Sequence, residues 1–306
     1  MFINEDTLRL DYQVEEKEAG EHVIDVLAKA MNISSRLIRK CKKNKQILVN
    51  HQHISVNATV RSGDVITVML DHDENTFDPN PIEIEALYED GDILAVNKIP
   101  FLVVHPTKGH PEGTLANALS YRQYKRQENY KIRFINRLDR DTSGVLLIAK
   151  NAYAQQIISE QMQANLVDKI YYAVVKGRVE TEEGVIDAPI DRLSEDDILR
   201  GVIETGMPSR THYKVMASND MASVLRLKLE TGRTHQIRVH LQHIGHPIIG
   251  DSLYGEVSSA INRQALHCYQ MAFKPPRSAN SICVTADLPD DMKALIQLLG
   301  FDELKF

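Results

Sequence analysis

One stretch of sequence decides how this chain can be divided. Residues 71–81 are rich in acids, carry two prolines and show no periodic apolar pattern. Such a segment can neither lay an apolar helix face on a core nor alternate as a half-buried strand, so it reads as a linker. The chain must therefore bury two cores, one before residue 72 and one after residue 81. Its 306 residues and 43% hydrophobic content suffice for both, since a domain commonly takes about 100–200 residues.

Before the linker, Val23, Val26, Leu27 and Ala30 recur at helical spacing within Glu21 to Ala30, the mark of a short helix with one buried stripe. A second helix follows, capped by Ser34 or Ser35, with Leu37 and Ile38 inward and Arg36, Arg39, Lys40 and Lys43 on one exposed face. Between Ile33 and Lys45 there are six basic residues and no acid. Short β-rich runs come next, at Ile47 to Val49, Ile54 to Val56 and Val65 to Val68, the last introduced by Ser62-Gly63-Asp64. Helix, basic helix and small strands in this order, with Ser35-Arg36, Ile47-Leu48-Val49-Asn50 and Gly63-Asp64-Val65-Ile66, resemble the S4 RNA-binding domain over residues 12–71. The resemblance implies that Arg36, Arg39, Lys40 and Lys43 contact RNA. By charge pattern alone the same face equally describes a solvated helix surface.

After the linker, residues 82–306 read as an α+β domain. Ile93 to Val96, Val145 to Ala149, Tyr171 to Val175 and Val224 to Leu229 are strand-like, and residues 152–165 are helical. Strands and helices do not alternate regularly, which favours a mainly antiparallel sheet over a doubly wound parallel one.

The net charge of −6 and pI near 6.1 argue against a uniformly basic coat, but a local patch binds phosphate whatever the total. Cys41, Cys268 and Cys283 are odd in number and widely spaced, so neither a disulfide framework nor a paired metal site is expected, and the chain suits the reducing cytoplasm. Residues 1–10 already hold Glu5, Asp6 and Arg9, unlike a targeting leader, and no apolar run approaches the roughly 18 residues of a membrane span.

The densest polar constellation is Asn136-Arg137-Leu138-Asp139-Arg140-Asp141-Thr142-Ser143-Gly144, feeding directly into the apolar run Val145-Leu146-Leu147-Ile148. A carboxylate between two arginines on such a turn should be held in direction by charge-assisted hydrogen bonds, as a nucleophile or simply as an ion pair at a turn. Arg137-Leu138-Asp139 with Thr142-Ser143-Gly144 resembles the active-site motif of the RluA family of pseudouridine synthases. Lys169-Ile170-Tyr171-Tyr172-Ala173-Val174-Val175-Lys176-Gly177 resembles that family's second motif, and Thr231-Gly232-Arg233-Thr234-His235-Gln236-Ile237-Arg238-Val239-His240 its third. Weaker similarities, among them Asn97-Lys98, His105-Pro106 and Gly250-Asp251, extend the likeness over nearly all of residues 82–306. Two positions depart from the family pattern: Asn136 stands where histidine is usual, and Ile99 where a proline usually follows the lysine.

The resemblance implies an isomerase that breaks the bond from uracil N1 to ribose C1′, turns the base and rejoins it through C5. It implies Asp139 as the catalytic aspartate, acting as nucleophile or proton acceptor, Tyr171 against the base with a part in removing the C5 proton, and Arg238 paired with Asp139. Arg137 would orient the turn or contact phosphate. No P-loop, GxGxxG or metal-ligand spacing occurs, so no cofactor is expected. The partner is structured RNA, ribosomal before transfer, bound by a monomer. Thr234 could cap a helix ending at Gly245 and carrying Arg238. A hydroxyl nucleophile at Thr142 or Ser143 lacks a G-x-S-x-G elbow. A zinc site at His235, His240, His243 and His246 is disfavoured because they do not share one helical face. The rival functions are a non-catalytic RNA-binding or ribosome-assembly protein, and a hydrolytic glycosidase with paired carboxylates.

Overall fold

The computed structural model describes residues 8–194, 198–302 and Leu304; residues 1–7, most of the segment in which no leader was expected, lie outside it. The first unit runs β1 (Arg9–Gln13), α1 (Val23–Lys29), α2 (Ser35–Lys43), β2 (Ile47–Val49), β3 (Gln52–His53) and β4 (Val65–Met69). Its four strands form one antiparallel sheet in the order β1-β4-β2-β3. Val23, Val26 and Leu27 of α1 and Leu37, Ile38 and Cys41 of α2 lie with Ile47, Ile66 and Val68 in one core. The amphipathic spacing makes this arrangement: each helix has one stripe to hide and the sheet has one face to receive it. Ser34 is the residue that caps α2, its hydroxyl accepting the Leu37 amide at 3.3 Å.

Two local expectations need correcting. The strand placed at Ile54 to Val56 lies instead at Gln52–His53, because a tight turn at Asn50 and His51, both at positive φ, returns the chain at once to β2. Val56 is apolar because it is buried, not because it pairs. The strand β1, unmarked by any alternating run, crosses the expected start of the unit at residue 12 and pairs with β4 through all five of its residues.

Beyond the irregular residues 71–81 come β5 (Glu85–Glu89), β6 (Ile93–Lys98), α3 (Leu115–Arg126), β7 (Arg133–Phe134), β8 (Ser143–Ala149) and α4 (Ala152–Gln163). Then follow β9 (Asp168–Lys176), β10 (Glu183–Asp187), β11 (Ile190–Arg192), β12 (Arg200–Val202), β13 (Arg210–Ser218) and β14 (Ala222–Leu229). The chain ends with α5 (Gln236–His243), β15 (Leu266–Phe273), β16 (Ile282–Thr285) and α6 (Asp290–Leu298). A ten-stranded sheet in the order β10-β13-β14-β9-β15-β8-β6-β5, with β16 on β15 and β7 on β8, forms the body. Every pair in it is antiparallel except β15 with β8, so the architecture is α+β. All seven residues of β8 are buried, which explains its unbroken apolar run: a strand covered on both faces has no solvent side to alternate with. Each aliphatic side chain fully buried there contributes about 1.5–3 kcal/mol.

The segment 71–81 is irregular but not slack. Asp73 pairs with Lys40 of α2 and with buried Arg133 of β7, while the Asn75 amide donates to Asn129 Oδ1 at 3.0 Å. Ser34 and Asn32 are bridged to α4 by Gln156 and Glu160, each bond 2.9 Å long.

Candidate active site

The turn carrying Asp139 is built from beneath by two buried cations. Lys98, at the end of β6 and fully buried, donates from Nζ to the carbonyls of Ile99, Leu102 and Arg140 at 3.0, 2.9 and 2.8 Å. Burial pushes its pKa down to about 7, against the pull of Asp141 and Asp139. Arg263, equally buried, grips Asp291 through two bonds of 2.6 and 2.9 Å and donates to the Asp141 carbonyl at 3.1 Å. Asn136 fixes the approach to β8, its Oδ1 accepting the Leu147 amide at 2.8 Å. With the carbonyls of residues 140 and 141 held below, the Asp139 side chain is left at the cleft, 26% exposed.

Gly144 sets the other coordinate. Its φ is +113°, and a Cβ there would lie 2.1 Å from the Cys268 carbonyl oxygen, so only glycine lets β8 and β15 approach in parallel at this point. Cys268 in turn faces Tyr171 across the β15–β9 ladder. One close backbone approach thus carries the Asp139 turn to the tyrosine. Tyr171 is 7% exposed, and its burial, with Cys268 beside it, pushes the phenol's pKa far upward, leaving a neutral ring.

Arg238, on the first turn of α5, closes the group. Its Nε and Nη2 donate to the two oxygens of Asp251 at 2.7 and 2.8 Å, and Nη1 donates to Asp139 Oδ2 at 3.0 Å. Asp251 is fully buried and also accepts the amides of Leu253 and Tyr254. Burial works against the guanidinium's charge, but Asp251 and Asp139 outweigh it and raise its pKa. A planar fork that spans two carboxylates cannot be replaced by a point charge. The cleft, about 370 Å³ of space open to solvent, is lined by Arg137, Asp139, Tyr171, His235, Arg238 and Leu266 among others.

The chain as a whole is similar to known proteins of one family. Residues 92–243 match the model of a family described as RNA pseudouridylate synthase. The uncharacterized RNA pseudouridine synthase YhcT of Bacillus subtilis (strain 168) is 38% identical over 94% of this chain and 96% of its own. The ribosomal large subunit pseudouridine synthase D of Nitrosomonas europaea is 35% identical over 97% of this chain and 89% of its own. This chain belongs to the RNA pseudouridine synthase family. The synthase is an isomerase acting on RNA, and its fold is shared with the solved human RNA pseudouridylate synthase domain containing 1, at a TM-score of 0.56 and 26% identity over 76% of this chain and all of that one.

Within the synthase, the residues singled out in the sequence fall into two groups. Asp139, Tyr171 and Arg238 meet in the cleft, with Arg137 exposed at its rim. Arg36, Arg39, Lys40 and Lys43 are exposed on α2 in the other unit, where Lys40 is engaged by Asp71 and Asp73 at 2.8 and 3.2 Å. The expectation that neighbouring arginines hold Asp139 is corrected: Arg140 turns to Asp141, at 2.7 Å, and the arginine that holds Asp139 comes from 99 positions away. Thr234 does not cap α5. The capping position is His235, in a left-handed conformation and without a side-chain cap bond, while Gln236 Oε1 accepts the Arg233 amide at 3.0 Å.

Ser143 is buried, its hydroxyl 2.9 Å from His267 Nδ1 inside the sheet, so it cannot meet a substrate. His240 is spent on Thr211 and the Ala188 carbonyl, and His246 on the Lys176 carbonyl. Asp251, Lys98 and Arg263 escaped sequence reasoning as site residues; Lys98 and Asp251 stand in the weaker similarities, but nothing local shows that both are fully buried.

Proposed function

We propose that the synthase converts uridine to pseudouridine in ribosomal RNA with Asp139 as the catalytic aspartate, nucleophile or proton acceptor, with Arg238 holding it and Tyr171 lying against the base. The observation that carries this reading is the three-way lock of Arg238. Two of its donors are committed to buried Asp251, and the third holds Oδ2 of Asp139 at the edge of the cleft, leaving Oδ1 clear of Arg238 and 3.9 Å from His235 Nε2. An acid positioned by charge-assisted bonds in a partly dry cleft needs little reorganisation to act on C1′ or its neighbours. Tyr171 supplies a ring face, and as a neutral phenol it moves a proton at C5 only as another group takes its own.

The target nucleotide leaves its stack to reach this cleft, at a cost of a few kcal/mol that is least for unpaired positions. Residues 12–71 serve as an S4-like RNA-binding unit, 72–81 as the connection and 82–306 as the catalytic domain. Arg36, Arg39 and Lys43 of α2, with Lys40 once its acids release it, contact phosphate, and Arg137 contacts backbone at the cleft rim. The enzyme works as a cytoplasmic monomer without a cofactor. Relatives whose names specify the large ribosomal subunit support ribosomal RNA as the substrate.

Pseudouridine mapping of total RNA tests this reading, in strains lacking the protein, carrying it intact or carrying Asp139→Asn. Sites present only with the intact protein are the expected result. Full modification by purified Asp139→Asn enzyme would remove Asp139 from its role.

A further inference from the structure

One cleft residue has no part in the chemistry described so far. His235 precedes α5 with φ +58°, a left-handed conformation that costs a non-glycine residue of order 1–2 kcal/mol and persists only when its surroundings hold it. What holds it is Tyr254. The imidazole Nδ1 lies 2.8 Å from the Tyr254 hydroxyl, and that oxygen accepts the Arg200 amide at 2.9 Å. Tyr254 is 6% exposed and also stacks beneath Arg238, whose guanidinium carbon is 5.0 Å from the ring centre.

The chain of bonds favours one tautomer. The Tyr254 oxygen already accepts the Arg200 N–H, and with its own hydrogen directed to His235 Nδ1 a neutral imidazole carries its proton on Nε2. Burial keeps the ring neutral by lowering its pKa, with Arg238 and Arg200 acting in the same direction and Asp139 and Asp251 against it. His235 Nε2 faces Asp139 Oδ1 at 3.9 Å. That is too far for a direct hydrogen bond, yet an oxygen set between the two could reach both. The oxygen must accept from Nε2–H and donate to the carboxylate, so it belongs to a water or a hydroxyl, and of the two only a hydroxyl can be the substrate's own. On a nucleotide in an RNA strand, the sugar hydroxyl is the 2′-OH, which is both donor and acceptor and distinguishes RNA from DNA.

We propose that His235, locked by Tyr254 and Arg200, is a further catalytic-site residue that binds the 2′-hydroxyl of the target uridine against Asp139. The proposal rests on the reading of Asp139 as the acid facing the nucleotide. It makes the cleft itself, and not only the RNA fold around it, selective for a ribose.

Two measurements test it. The first is single-turnover kinetics on an RNA oligonucleotide carrying either uridine or 2′-deoxyuridine at the modified position. The intact enzyme should prefer uridine by on the order of 100-fold, since a site built to bond a hydroxyl rejects the analogue lacking it. His235→Ala and Tyr254→Phe should both collapse that ratio, while His235→Gln, which keeps an N–H donor, should retain much of it. An unchanged ratio in His235→Ala overturns the proposal, as does equal loss of both substrates in every variant. The second is the ¹⁵N spectrum of the His235 ring in the intact protein, where Nδ1 should be bare and Nε2 protonated; the opposite tautomer also overturns it. Activity surviving in Asp139→Asn would sink the Asp139 reading by itself, and the ring spectrum remains independent of that result.

Discussion

The two units of the synthase assemble their working surfaces in opposite ways. The basic face of α2 is local: Arg36, Arg39 and Lys43 lie three or four positions apart on one helix and need nothing but the helix to stand together. The cleft is assembled across the chain. Asp139 meets Arg238 across 99 positions, Arg238 meets Asp251, and Gly144 reaches Tyr171 through Cys268. A surface for holding phosphate tolerates slack, because charge acts over a distance set by screening. A surface for rearranging one nucleotide does not, and it is built where the sheet is most deeply buried.

The contrast is broken most severely at Asp251. Asp251→Asn should lower stability by about 3 kcal/mol, because it leaves a buried guanidinium without its fully charged partner. It should also cut the turnover rate by on the order of 10–100-fold, as Arg238 loses its aim. Urea unfolding and single-turnover kinetics read the two losses. Equal changes are not expected for any single residue of α2.

His267 gives the next effect, through pH. Its ring is buried between Ser143 and the Ala286 carbonyl, and burial lowers its pKa to about 4. Between about pH 6.5 and 4 the unfolded chain takes up a proton that the folded one refuses, so this group's contribution falls as pH drops through that window. The loss amounts to about 3 kcal/mol at the acid end. Unfolding free energies of the intact protein and His267→Gln, compared across the window, should converge as pH falls; parallel curves would count against it.

The basic face is the third lever. Replacing Arg36, Arg39 and Lys43 together by alanine should reduce the slope of log affinity against log salt by about 2, in line with the loss of two or three phosphate contacts. Single-turnover rates at saturating enzyme should stay as they are. An unchanged slope would leave α2 a solvated helix and nothing more.

The smallest effect is expected at Phe101, exposed and held at φ +62° beside the carbonyls that Lys98 grips. Phe101→Gly should raise stability by about 1 kcal/mol by relieving a conformation that only glycine adopts freely. Thermal denaturation would show it.

What could be read in advance follows the same division. The stripe of α1, the cap of α2 and the buried run of β8 were legible, because each depends on residues a few positions apart. The turn at Asp139 was visible as a motif, and its partner Arg238 was visible only through the family resemblance, not from the neighbouring residues. Nearest-neighbour reasoning assigned Arg137 and Arg140 to it, whereas Arg140 takes Asp141 and the cleft takes Arg238. Thr234 looked like a cap because it precedes an apolar periodicity by the right interval, yet His235 occupies the capping position in a backbone shape that no propensity favours. Lys98 could not be found by composition. A lysine reads as surface until the fold surrounds it with three carbonyls.

Asp73 draws the two units into one instrument. Its carboxylate joins α2 to β7, with Lys40 on one side and Arg133 on the other, and the Gln156 bridge repeats the tie at α4. A connection fastened at both ends works as a caliper rather than a tether: the basic face of α2 and the cleft stand at a set separation. If α2 holds phosphate as proposed, an RNA satisfies both at once only when its own shape spans that gap, and the distance between two jaws is then a second criterion for choosing a uridine, beside the identity of the base.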